Sequence, residues 1–172
     1  PLASYVTDDY FGFLDAGEDI NHLEAGDQLD IGIGRIPAAT LQSANDYVDK
    51  IILYHQPSTR GDWRNSLSFI ADDEDFNLHL RDAEEITSRL KSVNNQFQVK
   101  KIYLDAYPQE SDAAGSRYPA VNQAISEDMQ KGTLIWNYSG HGGYRRLAEE
   151  VVVDHEIADS WQQQGHLPLF IT

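Results

Sequence analysis

Residues 134–143, LIWNYSGHGG, concentrate the features that chemistry would use. Histidine exchanges a proton near neutral pH more readily than any other side chain, and here an apolar run delivers His141 into a setting of glycines. Small neighbours at Ser139, Gly140, Gly142 and Gly143 let a substrate backbone approach closely. They also leave backbone N–H groups free to face an anion, as an oxyanion hole requires. A glycine-rich turn with an incidental histidine fits the same letters, and spacing alone does not separate the two. A second concentration is Asp72, Asp73, Glu74 and Asp75, which offers the oxygen ligands calcium prefers. It fails as an EF-hand loop, since the sixth position from Asp72 is Asn77 and the twelfth is Ala83. A solvated acidic loop is the default reading. The six histidines raise the question of zinc. No pair has the His-x-x-x-His spacing of a helical zinc site. His55, His79, His155 and His166 read as surface or helix-end residues, with His79 close enough to the acidic loop to support it. No metal-ligand set is defined by spacing.

Composition narrows the chemistry. There is no cysteine in the 172 residues, hence no disulfide, thiolate metal site or thiol nucleophile within them. Acidic side chains outnumber basic ones 28 to 13, for a net charge of −15. Binding to nucleic acid needs a Lys/Arg cluster and is not expected. The acidity serves solubility; a preference for basic substrate segments is opposed by Arg145 and Arg146 beside His141. No apolar run approaches the ~18 residues of a membrane span, and no signal-peptide pattern opens the chain. The chain starts at Pro1 and stops inside the apolar run LPLFIT, and reads as a piece of something longer.

These residues must be positioned by alternating strands and helices. Strands are expected at residues 30–36 (DIGIGRI), 66–71 (SLSFIA), 99–104 (VKKIYL), 133–138 (TLIWNY) and 167–171 (LPLFI). Thr40 is placed to cap a helix whose apolar positions are Leu41, Ala44, Tyr47, Val48, Ile51 and Ile52. Leu78, Ile86, Leu90 and Val93 mark a second helix, 119–129 a third, and 154–163 a short fourth. Residues 57–62 (PSTRGD) form a turn cluster and a seam, and 105–116 an irregular polar loop. Trp63, Trp136 and Trp161 are expected in core or seam packing. Alternation of this kind predicts an α/β fold with a mostly parallel sheet and helices on both faces. Ligands of such sheets sit beyond the carboxyl ends of the strands, which selects the loops at 72–75, after 105, and at 139–145.

The pairing of NYSGHGG with a later LPLFIT resembles the gingipain-type cysteine peptidases of the caspase-like clan. DIGIGRIPA, a helix ending KIILYHQ, and DWRNSLSFIADDED extend the similarity upstream, and SYVTDDYFGFLD looks like the segment before them. The least similar stretch is 109–116. Within the family the wording is closest to the surface sortases of type IX secretion. The resemblance implies a caspase-like three-layer fold, with 1–56 ending an N-terminal sub-domain and 57–172 beginning the catalytic one. It implies that His141 is the proton-transferring residue and that Gly142 N–H donates to the oxyanion. An acid at the end of the strand SLSFIAD would orient the histidine; Asp72 is the best match by position, with Asp73 an acceptable substitute that the similarity does not separate from it. The nucleophilic cysteine would follow Thr172, so the fold is expected truncated before it and the fragment inert by itself. No cofactor is implied as required, and calcium is allowed. Implied partners are secreted cargo proteins and other secretion-system proteins, at the outer face of the bacterial outer membrane. The contrasting expectation is a non-catalytic calcium-binding or scaffold module with the same fold.

Overall fold

A computed structural model describes residues 7–18, 20, 28–113, 115–162 and 165–172. Its elements in chain order are helix α1 (Leu41–His55), strand β1 (Ser66–Ala71), α2 (Leu78–Val93), β2 (Gln98–Tyr103), β3 (Glu110–Asp112) and β4 (Gly115–Arg117). There follow α3 (Pro119–Lys131), β5 (Ile135–Ser139), β6 (Arg146–Leu147), β7 (Val153–Asp154), α4 (His155–Ser160) and β8 (Leu169–Ile171). Two compact units divide the chain, Pro1–Asp49 and Lys50–Thr172.

In the first unit the expected strand at 30–36 is not formed among the described residues. A strand exists only through a partner's ladder, and this segment is instead tied down by separate bonds. Asp30 N–H donates to the Gly12 carbonyl (3.0 Å) and Leu14 N–H to Asp30 Oδ2 (2.8 Å). The Arg35 guanidinium pairs with the Asp8 carboxylate. Residues 4–6 of the family-like opening segment lie outside the described residues. Thr40 does cap α1: its Oγ1 accepts from Ser43 N–H at 3.1 Å.

The second unit is an α/β layer structure around a four-stranded parallel sheet of order β2-β1-β5-β8. All six residues of β1 are buried, as a central parallel strand covered on both faces must be. Side chains alternate between the faces. Leu67, Phe69 and Ala71 pack with Ala83 of α2 and with Tyr103. Ile70 points the other way, toward Ile102, Trp136 and the α3 residues Val121, Ile125 and Met129. Trp63 and Trp136 are buried, and Trp161 packs half-buried against the second cluster.

The expected irregular loop at 105–116 is partly regular. Leu104–Ala106 is a 3-10 turn, and β3 and β4 form an antiparallel ribbon pairing Glu110 with Arg117 and Ser111 with Ser116. A ribbon of polar residues has no apolar alternation to announce it. A second ribbon, β6 with β7, folds back after the His141 turn.

Topology positions the site. From β1 the chain crosses to β2 on one side, and from β2 it returns across β1 to β5 on the other. The order reverses between β1 and β5, where open α/β sheets form a crevice beyond the strand ends. The register Ala71↔Ser139 sets residues 72–75 and 140–143 side by side at that point.

Candidate active site

Asp72 leaves β1 with a side chain only 1% exposed as a residue. Burying a carboxylate is costly unless donors surround it, and three do. Oδ1 accepts from Asp73 N–H (3.0 Å), while Oδ2 accepts from His141 N–H (2.9 Å) and more distantly from the Tyr138 hydroxyl (3.3 Å). The Asp72 N–H in turn donates to the Ser139 carbonyl at 3.0 Å. Gly140 makes this contact possible: a Cβ there would stand 2.4 Å from Asp72 Cβ and 2.5 Å from Tyr138 Oη.

The His141 ring lies over the acidic loop. Its Nδ1 is 3.4 Å from Asp72 Oδ2 and 3.1 Å from Glu74 Oε2, and its Nε2 is 3.3 Å from Asp75 Oδ2. The ring is about half exposed, at 48% of its side chain, whereas the Asp72 side chain is fully buried. Tyr138 Oη–H donates to the His141 carbonyl at 2.8 Å, and Ala148 N–H donates to the same oxygen at 2.9 Å. With Gly143 N–H bonded to the Arg146 carbonyl (2.9 Å), the two ladder bonds bracket the Gly142–Leu147 bridge. Such a pair exchanges no hydrogen bonds of its own, so Gly142 N–H takes no part in the ladder. A cavity of about 310 Å³ opens here, lined by Glu74, His141, Gly142, Gly143, Arg146 and Glu149 among others. A larger one of about 510 Å³ is lined by residues 144–146, Val151 and 154–156; His141 is not in its lining.

Behind the ring lies a second group of carboxylates. Asp72, Asp73 and Glu150 each bring an oxygen within 4.8 Å of the others. The Tyr118 hydroxyl donates to Asp73 Oδ2 at 2.6 Å and Gln109 Nε2 to Glu150 Oε1 at 3.2 Å, but Asp73 Oδ1 and Glu150 Oε2 are buried with no hydrogen-bond partner. Burial, then the charges of Asp73, Asp72 and Glu74, push the Glu150 carboxyl up from its ordinary range. Burial and the neighbouring Asp72 raise Tyr138, and burial and Asp73 raise Tyr118, so both phenols stay protonated donors.

Of the residues singled out in the sequence, Asp72, His141 and Gly142 therefore meet at one sheet edge. Asp73 turns away toward Tyr118. His79, read as a surface or helix-end residue close to the acidic loop, stands with its ring edge-on to His141, centroids 5.0 Å apart. Sequence reasoning missed Tyr138 and Glu150. The tyrosine's inward face could have been read from β5 alternation, since Trp136 and Tyr138 share a side of the strand. Nothing in the local sequence distinguishes Glu150 from Glu149.

A family model described as Peptidase family C25 matches residues 1–172. No curated protein and no solved structure matches the chain.

Proposed function

Because the chain belongs to peptidase family C25, the gingipain family of cysteine peptidases, we propose that it carries the histidine half of the catalytic apparatus, with His141 as proton shuttle. The supporting observation is the buried Asp72 carboxylate 3.4 Å from His141 Nδ1 at the carboxyl edge of the parallel sheet. β8 runs parallel beside β5, pairing Asn137 with Ile171. A cysteine following β8 in a longer chain would thus emerge at the same edge as His141. Its thiol proton passes to His141 Nε2, and the thiolate attacks the scissile carbonyl carbon. Gly142 N–H is free of the ladder to receive the oxyanion. The C–N bond then breaks as His141 returns the proton to the leaving amine, giving a thioester that water or an amine resolves.

The finer reading is a PorU-like sortase. It would act on secreted cargo at the outer face of the outer membrane and remove a C-terminal sorting domain during type IX secretion, alongside other secretion-system proteins. Without a cysteine in its 172 residues this chain alone would be inert. The test is cleavage of a cargo protein by the longer, cysteine-bearing protein. His141→Ala is expected to abolish cleavage with an unchanged circular dichroism spectrum; retained cleavage would remove His141 from the mechanism.

The chemistry requires no cofactor. Calcium, which prefers an all-oxygen site, would find a structural place at Asp73 and Glu150, where two buried oxygens have no hydrogen-bond partner. It would there offset carboxylate repulsion and take no part in bond cleavage. The same oxygen pocket is what supports the second reading, a calcium-binding module without catalysis. A cysteine-bearing protein that binds calcium yet cleaves nothing would favour that reading.

A further inference from the structure

Two histidines that are remote in sequence share one face of the acidic loop. His79 is in the first turn of α2, and His141 is in the turn after β5. Ring nitrogens of both and a carboxylate oxygen of Asp72 all lie within 4.8 Å of one another. Asp75 Oδ2 stands 3.3 Å from His141 Nε2 and 3.6 Å from His79 Nε2. Ligands bonded to a tetrahedral zinc ion at about 2.0–2.1 Å are themselves about 3.3 Å apart, so these separations suit a shared cation.

His79 Nε2 supplies an independent observation. It is a buried nitrogen with no hydrogen-bond partner, a condition that native interiors rarely tolerate without a ligand, ion or water. On the far side of the other ring, His141 Nδ1 faces Asp72 and Glu74. A carboxylate behind one ring nitrogen fixes the tautomer and leaves the other to bind metal. Half exposure of the His141 side chain gives an ion a path in.

We propose that His79, His141 and Asp75 form a binding site for a cation of the Zn²⁺ class, with Asp72 backing His141 from its Nδ1 side, and that its occupation switches the peptidase off. Mixed imidazole and carboxylate donors select borderline ions such as zinc over calcium and magnesium, which take oxygen. The ion would occupy the Nε2 lone pair that accepts the cysteine proton. The inhibitory half rests on the proposed role of His141; the binding half does not.

Because the chain has no cysteine, its zinc binding can be read free of any thiolate. The 172-residue chain is titrated calorimetrically with ZnCl₂ and separately with CoCl₂, followed by visible absorption. One equivalent of zinc is expected to bind, undisturbed by excess calcium, and cobalt to show the intense bands of a tetrahedral site. His79→Gln and Asp75→Asn should each weaken zinc binding by about tenfold or more, while His155→Gln should not. Equal affinity in wild type and both variants, or a cobalt spectrum of the hydrated ion only, overturns the site. Melting curves check folding, and Asp75→Asn, a change at a half-exposed side chain, serves if His79→Gln does not fold. In the cysteine-bearing protein, cleavage with and without zinc is compared within each variant. The inhibition ratio should fall at least about tenfold in His79→Gln; an unchanged ratio overturns the inhibitory half. Cleavage surviving His141→Ala would instead defeat the role of His141, leaving the titration to judge the metal site.

Discussion

Asp72 and Glu74 both approach His141 Nδ1, and burial decides which orients it. Glu74 is nearer, at 3.1 Å, but 40% exposed, so its charge is screened and its rotamers are open. Asp72 is buried and held by two backbone N–H groups, with the Tyr138 hydroxyl, shared with the His141 carbonyl, more distant. In the cysteine-bearing protein, Asp72→Asn is expected to lower kcat by roughly 10²–10⁴-fold and Glu74→Gln only a few-fold; equal losses would shift the orienting role to Glu74. Glu150 makes a prediction about pH. Its carboxyl is pushed up in the fold, so between its unfolded and folded values the folded chain holds the extra proton. Stability therefore falls as pH rises through that interval, and the penalty is complete above it. Below the ordinary value of 4.5 both states are protonated and nothing is lost. Glu150→Gln should raise the melting temperature at pH 7 by a few degrees, corresponding to about 1 kcal/mol, and leave it unchanged at pH 4. Calcium should raise the wild-type melting temperature and lose that effect in the variant. A gain equal at both pH values would show that the charge is not the cause. His141 and the candidate pair Asp72 and Asp73 were readable from type and position, though not which of the two faces the ring. Glu150 was not readable at all, because its burial depends on how the β6–β7 ribbon folds back.

At the scale of elements, the contact between the β1 and β5 loops is a packing of backbones. Gly140 stands so close to Asp72 and Tyr138 that any side chain must push them apart. Gly140→Ala is expected to cost about 1–3 kcal/mol, seen as a lower melting temperature, and to shift the NMR signals of His141 and Tyr138. Wild-type stability with unmoved signals would mean that the two loops are not in contact. The acidic loop carries strain of its own, with Asp75, Phe76 and Asn77 all at φ between 55° and 63°. That region disfavours side chains, and the turn nonetheless brings Asp75 against both histidine rings. Regular elements with an apolar stripe, such as α2, α3, β1 and β5, were legible because their periodicity is imposed by the core they share. The segment 30–36 has the alternation of a strand but among the described residues has no ladder partner, and a strand without a partner cannot be read from its own letters. The β3–β4 ribbon has the opposite character, a ladder of polar residues with no hydrophobic pattern.

For the whole molecule, the sheet ends on β8, whose Leu169, Phe170 and Ile171 are 61%, 47% and 44% exposed. An apolar edge strand with free N–H and C=O groups invites pairing with another chain. The 172-residue chain should self-associate with rising concentration in light scattering despite its charge of −15, and Phe170→Lys should suppress this. A monomer at all concentrations would show that charge repulsion dominates the edge. The sequence by itself determined the layer order, the delivery of His141 by an apolar strand, and the acids available to it. These follow from local period and residue type, which any short window of chain expresses. Only the tertiary structure decided that Asp72 faces the ring while Asp73 turns to Tyr118, that Glu150 lies buried among carboxylates, and that His79 reaches His141. Those outcomes depend on sheet register and on which loops meet beyond the strand ends, contacts between residues far apart in the chain that no local pattern encodes.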